Sequence, residues 1–302
     1  MASNEQKDKK VSSAKSKNRK EAQLQQQQAL ICENLSFAAA EAYKRLRANL
    51  QFVLPKDGCR IVGITSSLRG EGKSTTSINI SYSLAQSGKK VLLIEGDLRL
   101  PAVSERLGIE QTPGLSNLLA DLCEEHEAIK QSKHMDNWFI FPAGDTPPNP
   151  SELLGSERMH ALLERCSKIF DYIVIDLPPV GIVSDALSIS EWTDGLMVVV
   201  RQNYTSQRAL NDIMYQIQNF GVRFLGFVMT DAAVGESGYK SGSRYGKYGK
   251  YGKYGKYGKY AEKYGSSYGY GYGGYSGAKS SGKTDDAFKA AVNPEEKEPN
   301  AL

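Results

Sequence analysis

Short apolar runs alternate with longer amphipathic stretches between residues 60 and 230 of the chain. The apolar runs are rich in Val, Ile and Leu, and almost every position within them is hydrophobic. Continuous apolarity of this kind is typical of strands that are buried on both faces of a parallel sheet. The predicted strands are residues 60–65, 90–94, 138–141, 172–175, 196–200 and 224–229.

Helix-forming stretches separate these runs. An alternation of strand and helix over this length predicts an α/β domain with a doubly wound, mostly parallel sheet. In such folds, ligands bind at the carboxyl ends of the strands. The predicted helices are residues 76–86, 152–168, 184–191 and 205–220.

A glycine-rich segment, SSLRGEGKST, connects the first predicted strand to the first predicted helix. A phosphate-binding loop of the P-loop NTPase type needs this context, although only Gly72-Lys73-Ser74 matches the usual pattern strictly. Backbone N–H groups and the helix N-terminus would surround the phosphates, Lys73 would add a charge, and the Ser74 hydroxyl would reach Mg²⁺. The predicted ATP-binding residues are Ser67, Gly70, Glu71, Gly72, Lys73, Ser74 and Thr75.

Carboxylates follow two other predicted strands. Glu95 and Asp97 come after the second strand, and Asp176 comes directly after the fourth. Because parallel strands end at one edge of a sheet, these acids should lie near the phosphate loop. Oxygen ligands suit Mg²⁺, so Ser74, Asp97 and Asp176 are the predicted metal ligands. Glu95 and Asp97 are the candidates for orienting or deprotonating a phosphoryl acceptor.

Polar, low-complexity sequence flanks the apolar pattern on both sides. We expect a disordered basic arm at 1–34, one folded domain at 35–235, a Tyr/Gly/Lys-rich tail at 236–283 and a disordered acidic end at 284–302. Within residues 239–283, nine Lys and one Arg face the single acid Glu262, which leaves a charge of about +9. The basic character of the chain therefore comes from its ends.

The four cysteines show no C-x-x-C spacing, so we expect separate thiols in place of a disulfide or metal framework. No apolar run approaches the length of a membrane span, and no secretory signal is recognisable. We therefore expect a cytosolic protein. The basic ends would attract it to the anionic inner face of the plasma membrane.

Five stretches, together with the tyrosine-rich tail, carry a resemblance to a known family: TSSLRGEGKST, VLLIEGDLRLP, YIVIDLPPV, FPAGDTPPNPSELL and EAYKRLRANL. In these stretches, and over roughly residues 35–275, the chain resembles the bacterial tyrosine kinases of P-loop ancestry, which regulate capsule and exopolysaccharide synthesis. The ATPases related to that family, of the partitioning, division-site and arsenite-pump types, carry a second lysine early in the loop where this chain has Leu68.

The resemblance implies a catalytic set of Lys73, Asp97 and Asp176, with Glu95 as a weaker member. Lys73 would hold the β- and γ-phosphates, and Asp97 would activate the tyrosine hydroxyl. The chain departs from the family pattern at Glu95, where the family usually has Asp, at Arg69, where it has Pro, and at Thr230, where it has Asn. A longer side chain at position 95 displaces the carboxylate, so the base role falls first to Asp97.

Glu41, Lys44 and Arg47 resemble the oligomerisation motif of the same family, with Lys at the middle position in place of Arg. Residues three apart lie on one side of a helix, so this face could pair with acids of an adjacent subunit. Lys makes a poorer bidentate contact than Arg, which would weaken the assembly. A solvated helix face is the alternative.

The tail contains a dense cluster of tyrosines, many of them in a Tyr-Gly-Lys register. Its composition cannot build a core, so we expect a flexible segment that can enter a neighbour's active site. An adhesive segment or a single-stranded nucleic-acid binder would have a similar composition. The predicted phosphoacceptors are Tyr245, Tyr248, Tyr251, Tyr254, Tyr257, Tyr260, Tyr264, Tyr268, Tyr270, Tyr272 and Tyr275.

Together these features predict an Mg²⁺- and ATP-dependent protein-tyrosine kinase that phosphorylates its own tail. The resemblance implies a homo-oligomer, a membrane adaptor of the polysaccharide chain-length regulator type as activator, and a tyrosine phosphatase. No stable nucleic-acid partner is expected. Two alternatives remain open: a partitioning-like ATPase switch whose tail binds nucleic acid, and an inactive oligomeric scaffold that has lost catalysis at Glu95.

Overall fold

The computed structural model describes residues 31–232 together with Gln25 and Gln28. A seven-stranded sheet organises this part of the chain, in the order β3-β4-β2-β5-β1-β6-β7. All neighbours run parallel except β3, which pairs antiparallel with β4 at one edge. The strands are β1 Arg60–Ser66, β2 Val91–Glu95, β3 Lys130–Gln131, β4 Trp138–Phe141, β5 Tyr172–Asp176, β6 Gly195–Arg201 and β7 Phe224–Thr230.

Helices cover both faces of the sheet and connect its strands, as the sequence pattern predicts. Two short 3₁₀ turns, Cys32–Asn34 and Ser190–Trp192, accompany them. The helices are α1 Phe37–Val53, α2 Lys73–Gln86, α3 Val103–Leu107, α4 Leu115–Leu119, α5 Glu125–Ala128, α6 Pro150–Leu154, α7 Glu157–Ser167, α8 Asp185–Ser188 and α9 Gln207–Asn219.

Two apolar clusters lie on opposite faces of the sheet. On one face, buried residues of α2 such as Ile78 pack with Leu50 of α1 and with Val62 of β1. On the other face, Leu162 of α7 and Ile213 of α9 pack against the strands. The five central strands are buried along most of their length, which agrees with their continuous apolarity. The predicted doubly wound α/β fold is confirmed.

The prediction of one helix over 152–168 is wrong, because the structure divides this stretch into α6 and α7. Gly155 ends α6, and the Ser156 hydroxyl accepts a hydrogen bond from the Met159 N–H at 3.2 Å, which caps α7. The predicted helix over 184–191 is likewise shorter and continues as a 3₁₀ turn. Local capping groups, which hydrophobic periodicity does not report, set these boundaries.

The sheet order brings the carboxyl ends of β2, β5 and β1 side by side. Glu95 of β2 pairs in register with Asp176 of β5, and Ile64 of β1 pairs with Asp176 from the other side. The glycine-rich loop leaves β1 at the same edge. Among the described residues, no helix combines the length and apolar character needed to cross a bilayer.

Candidate active site

The glycine-rich loop ends where α2 begins. Gly72 has a φ of 92°, a left-handed conformation that favours glycine, and it precedes Lys73 as the first residue of the helix. The helix therefore starts three residues earlier than the sequence pattern predicts. The backbone N–H groups of its first turn face the loop, which is the arrangement that binds phosphate in P-loop proteins.

Lys73 is buried between two carboxylates. Its Nζ lies 3.0 Å from Asp97 Oδ2 and 3.2 Å from Asp176 Oδ2. It also lies 3.3 Å from the Ser74 Oγ. Burial acts to lower the pKa of Lys73, but the charges of Asp176 and Asp97 outweigh it and raise the pKa. Lys73 is therefore a fixed cation at the point where the sequence places the phosphates.

Asp176 is fully buried at the end of β5. Its Oδ1 accepts a hydrogen bond from the Ser77 hydroxyl at 2.9 Å, and its Oδ2 faces Lys73. Asp97 is also buried, and its Oδ1 accepts a hydrogen bond from the Leu100 N–H at 3.1 Å. The structure thus brings the predicted Mg²⁺ ligands Ser74, Asp97 and Asp176 together around one ammonium group. These hard oxygen donors fit Mg²⁺.

Glu95 pairs in register with Asp176 in the sheet, but its carboxylate makes its hydrogen bonds to other parts of the chain. Its Oε1 accepts hydrogen bonds from the N–H groups of Ala102, Val103 and Ser104, at the start of α3. Its Oε2 accepts from the Ser104 hydroxyl at 2.5 Å and from the Ala143 N–H at 3.2 Å. Burial raises the pKa of Glu95, and these hydrogen bonds oppose the rise. Both oxygens are occupied by structural donors.

Glu71 braces the loop from within. Its buried carboxylate accepts hydrogen bonds from the N–H groups of Ser67 at 2.7 Å and Leu68 at 2.9 Å. The Ser67 hydroxyl and the Thr205 hydroxyl donate to its other oxygen. Ser67 and Glu71, two of the predicted ATP-binding residues, contact each other here and set the shape of the glycine-rich loop.

Residues at the ends of β6 and β7 hydrogen-bond to the backbone of the loop. The Tyr204 hydroxyl donates to the carbonyl of Arg69 at 3.1 Å, and an Arg201 N–H donates to the carbonyl of Gly70 at 3.4 Å. Thr230, at the end of β7, donates to the carbonyl of Glu71 at 2.6 Å. Thr230 therefore helps to hold the loop in place through the backbone of Glu71. The contacts of Arg201 and Tyr204 could not be predicted from the sequence pattern, since these residues are 131 and 135 positions from their partners.

Arg106 is a further cation at the loop that the sequence pattern does not single out. It projects from α3, and a guanidinium N–H donates to the Thr75 Oγ1 at 2.8 Å. Burial lowers its pKa, and the charge of Asp176 opposes that change. Its Nε is buried and has no hydrogen-bond partner among the described residues. Because Glu95 caps α3, it also fixes the helix that presents Arg106.

Arg99 fixes the segment that carries Asp97. Its guanidinium makes two hydrogen bonds to the buried carboxylate of Asp185, at 2.7 and 3.0 Å, and one to the Ser151 hydroxyl at 3.2 Å. Burial acts to raise the pKa of Asp185, but the hydrogen bonds from Arg99 and Ser151 outweigh it and lower the pKa. This bidentate pair joins the Asp97 segment to α6 and α8.

The predicted oligomerisation residues occupy two environments on α1. Glu41 and Lys44 are about half exposed and form an ion pair at 2.7 Å. Arg47 points inward and donates to the Ser83 side chain at 3.3 Å and to the Ser83 carbonyl of α2. Arg47 therefore attaches α1 to α2 within the subunit, so the three side chains do not form one open face. The predicted tail phosphoacceptors, Tyr245 to Tyr275, lie outside the described residues.

Comparisons with known proteins agree with this geometry. A family model described as an AAA domain matches residues 59–224. The tyrosine-protein kinase CpsD of Streptococcus pneumoniae serotype 4 is 36% identical over 205 residues, which are 67% of this chain and 88% of that protein. The tyrosine-protein kinase YwqD of Bacillus subtilis is 34% identical over 63% of this chain and 80% of its own length.

One solved structure, the kinase domain of the Escherichia coli tyrosine kinase ETK, superimposes with a TM-score of 0.62 at 29% identity. The superposition covers 71% of this chain and 83% of that one. Lys73, Asp97, Asp176 and the glycine-rich loop all lie within residues 59–224, the range that the family model matches. The chain belongs to the P-loop family of bacterial tyrosine-protein kinases.

Proposed function

We propose that the protein is an Mg²⁺- and ATP-dependent protein-tyrosine kinase whose acceptors are the tyrosines of its own tail. The observation that carries this proposal is the buried group in which Lys73 Nζ lies 3.0 Å from Asp97 and 3.2 Å from Asp176 at the start of the P-loop helix. A lysine for the phosphates, an aspartate for the metal and a second acid beside them are the parts that phosphoryl transfer requires.

Each of these side chains has a distinct role in the proposed reaction. Lys73 binds the β- and γ-phosphates of the substrate ATP. Its contacts with Asp97 and Asp176 are then partly replaced by contacts with the phosphate oxygens. Ser74 and Asp176 hold Mg²⁺ or its waters. When bound, Mg²⁺ neutralises charge on the phosphate oxygens. Ser77 keeps Asp176 in place through its hydrogen bond of 2.9 Å.

Asp97 is the proposed base or orienting group for the tyrosine hydroxyl, and it also contributes to the metal site. The Leu100 N–H fixes one of its oxygens, and the Arg99–Asp185 pair fixes the segment on which it lies. Glu95 was a second candidate for the same role. Its two oxygens are occupied by hydrogen bonds at the start of α3, so we assign Glu95 to positioning and Asp97 to the hydroxyl.

Phosphorylation would act on the tail through its charge. Each phosphotyrosine adds about −1.5 to −2 charges, so phosphorylation of all twelve tyrosines from Tyr239 to Tyr275 would change a tail of about +9 to one of about −9 or lower. That change would reverse attraction to an anionic surface. We propose that the tail enters the active site of an adjacent subunit, and that the exposed Glu41–Lys44 pair on α1 lies at the subunit interface.

The proposed setting follows from the family. The kinase would be recruited to the inner face of the plasma membrane by an adaptor of the polysaccharide chain-length regulator type. Its output would be control of capsule or exopolysaccharide assembly and export, and a tyrosine phosphatase would reset it. The proposed domain organisation is a basic arm at 1–34, the kinase domain at 35–235, the acceptor tail at 236–283 and an acidic end at 284–302.

A mixture of two full-length variants tests transfer between subunits. A Lys73→Met chain supplies intact tail tyrosines without catalysis, and a chain with all tail tyrosines replaced by Phe supplies catalysis without acceptors. With Mg²⁺, ATP and a candidate adaptor's cytosolic peptide, we expect phosphotyrosine on the tail of the Lys73→Met chain only in the mixture. Release of inorganic phosphate without phosphotyrosine would overturn the proposal and favour an ATPase switch. Binding of ATP without turnover would favour a scaffold.

A further inference from the structure

A second cluster of chemically reactive side chains lies away from the active site. Cys32 belongs to the 3₁₀ turn before α1, as does Glu33, and His134 lies in the segment that leads into β4. The Cys32 Sγ, a Glu33 carboxylate oxygen and a His134 ring nitrogen all lie within 4.8 Å of one another. Since β4 runs parallel to β2, its beginning is at the edge of the sheet opposite to the phosphate loop.

Two parts of the chain that are 101 residues apart meet at this cluster. The His134 Nδ1 lies 2.9 Å from the Glu33 Oε1, and the His134 N–H donates to the Ser132 hydroxyl at 3.1 Å. The edge of the Tyr82 ring faces the His134 ring, with centroids 6.4 Å apart. Packing and hydrogen bonds thus set the position of the histidine, and Glu33 lies directly beside it.

The backbone of Cys32 adopts an uncommon conformation. Its φ is 54°, in the left-handed region that residues with a Cβ rarely occupy. The Asn79 Oδ1 accepts the Cys32 N–H at 2.9 Å, and Cys32 is buried while Glu33 and His134 are exposed. The surrounding structure holds the cysteine in a strained conformation that directs it into this cluster. Backbone strain of this kind is concentrated at functional sites.

We propose that Cys32, Glu33 and His134 bind a Zn²⁺ ion, with water as the fourth ligand. Sulfur, nitrogen and carboxylate oxygen are the donors that Zn²⁺ takes in proteins, at about 2.3, 2.0 and 2.1 Å. A tetrahedral ion with those bond lengths needs ligand atoms about 3.4–3.6 Å apart. The His134–Glu33 contact must therefore open by about half an ångström, and the Cys32 Sγ must come at most about 1.2 Å closer to the other two ligand atoms. Rotation of the exposed Glu33 side chain and a small shift of the His134 ring provide these changes.

Binding displaces a proton. Burial, reinforced by the charge of Glu33, raises the pKa of the Cys32 thiol to about 12, so the free protein carries a thiol there. The ion forms a Zn–S bond as the S–H bond breaks, and the proton passes to solvent through the exposed side formed by Glu33 and His134. The consequence is a link between the turn that precedes α1 and the segment that precedes β4. Metal would therefore restrain the start of α1, the helix that carries the exposed Glu41–Lys44 pair.

The spacing between cysteines, which predicts separate thiols, does not report this cluster. It contains one cysteine and two ligands of other types, one of them distant in sequence. The proposal is independent of the kinase proposal, because none of its three ligands contacts the phosphate loop in the described part of the chain.

The test is a titration of the full-length, chelator-treated protein with Co²⁺ in the absence of nucleotide. A thiolate bound to Co²⁺ absorbs in the near ultraviolet, and oxygen ligands at the active site do not. We expect one equivalent of this absorption, its displacement by Zn²⁺, its loss in Cys32→Ser and at least a tenfold weaker affinity in His134→Gln. Cys123→Ser is the matched control and should behave as wild type.

A second readout keeps the proposal testable if a variant folds poorly. Zn²⁺ at about a hundredfold over its dissociation constant should raise the melting temperature of the wild type by about 5–10 °C. At the same concentration the His134→Gln chain, whose affinity is weaker by tenfold or more, should show at most about half of that rise. Absence of the thiolate absorption in the wild type, its persistence in Cys32→Ser, or equal Zn²⁺ stabilisation of wild type and His134→Gln would each overturn the proposal.

Discussion

Replacement of Glu95 by Gln separates a reacting carboxylate from a structural one. Gln keeps the size of the side chain and one carbonyl oxygen, which can still accept the N–H groups of Ala102 and Val103. Its NH₂ group then replaces Oε2, which in the wild type accepts from the Ser104 hydroxyl and the Ala143 N–H. The hydroxyl can rotate and accept, but the Ala143 N–H is left facing another donor.

The magnitude follows from that single mismatch. A buried backbone N–H without an acceptor costs about 1–3 kcal/mol, and the loss of the negative charge at the start of a helix adds a few tenths. We therefore expect Glu95→Gln to lower the free energy of unfolding by about 2 kcal/mol. For a domain of this size, that corresponds to a fall in melting temperature of about 4–8 °C.

Catalysis should respond differently. Below the melting transition, the initial rate of tyrosine phosphorylation by Glu95→Gln should stay within about threefold of wild type. The Asp97→Asn chain is the matched control, and loss of a general base there should lower the rate by about a hundredfold or more. Thermal melts and phosphotyrosine formation from Mg²⁺ and ATP measure the two effects. A Glu95→Gln chain with unchanged melting temperature and a rate as low as that of Asp97→Asn would refute our reasoning.

Further predictions concern Arg106, which contacts Thr75, and the ion pair between Arg99 and the buried Asp185. Arg106 is a cation beside the first turn of α2, where we expect it to attract the phosphates, so Arg106→Ala should weaken Mg²⁺-ATP binding about tenfold in calorimetry. Arg158→Ala, at an exposed ion pair, should bind like wild type, and equal affinities for all three chains would contradict the role of Arg106. Asp185→Asn should melt below wild type at pH 7, because Arg99 lowers the pKa of Asp185. A carboxylate with a lowered pKa stabilises the fold above its usual pKa of about 3.9, so the difference should shrink as the pH falls through the lowered value. A constant difference between pH 7 and pH 3 would show that charge is not the cause.

Sequence alone indicated the parts of the fold that depend on local pattern. The continuously apolar runs identified every long strand, and the loop before Lys73 identified the edge at which the site forms. Asp176 followed from its position directly after β5. In each case a short stretch of residues determines the outcome, because burial on both faces and glycine conformations leave few alternatives.

Features that depend on distant contacts escaped prediction. The role of Glu95 is set by N–H groups of α3 and of Ala143, 48 residues away. The inward position of Arg47 depends on Ser83, which is 36 residues further along. The two-residue strand β3 is too short to show a pattern and exists only through its pairing with β4. The sequence pattern could not decide whether Glu95 is a reacting or a structural carboxylate, or whether Arg47 faces another subunit or its own helix α2.

The most direct measurement is mass spectrometry of the full-length chain after incubation with Mg²⁺ and ATP, beside a Lys73→Met chain treated in the same way. Both are measured with and without a candidate adaptor's cytosolic peptide. We predict phosphate on tyrosines between Tyr245 and Tyr275 in the wild type and none in Lys73→Met. Phosphotyrosine that is equal in the two chains, or absent from the wild type under every condition despite measurable ATP binding, would contradict the assignment of this site to tyrosine phosphorylation.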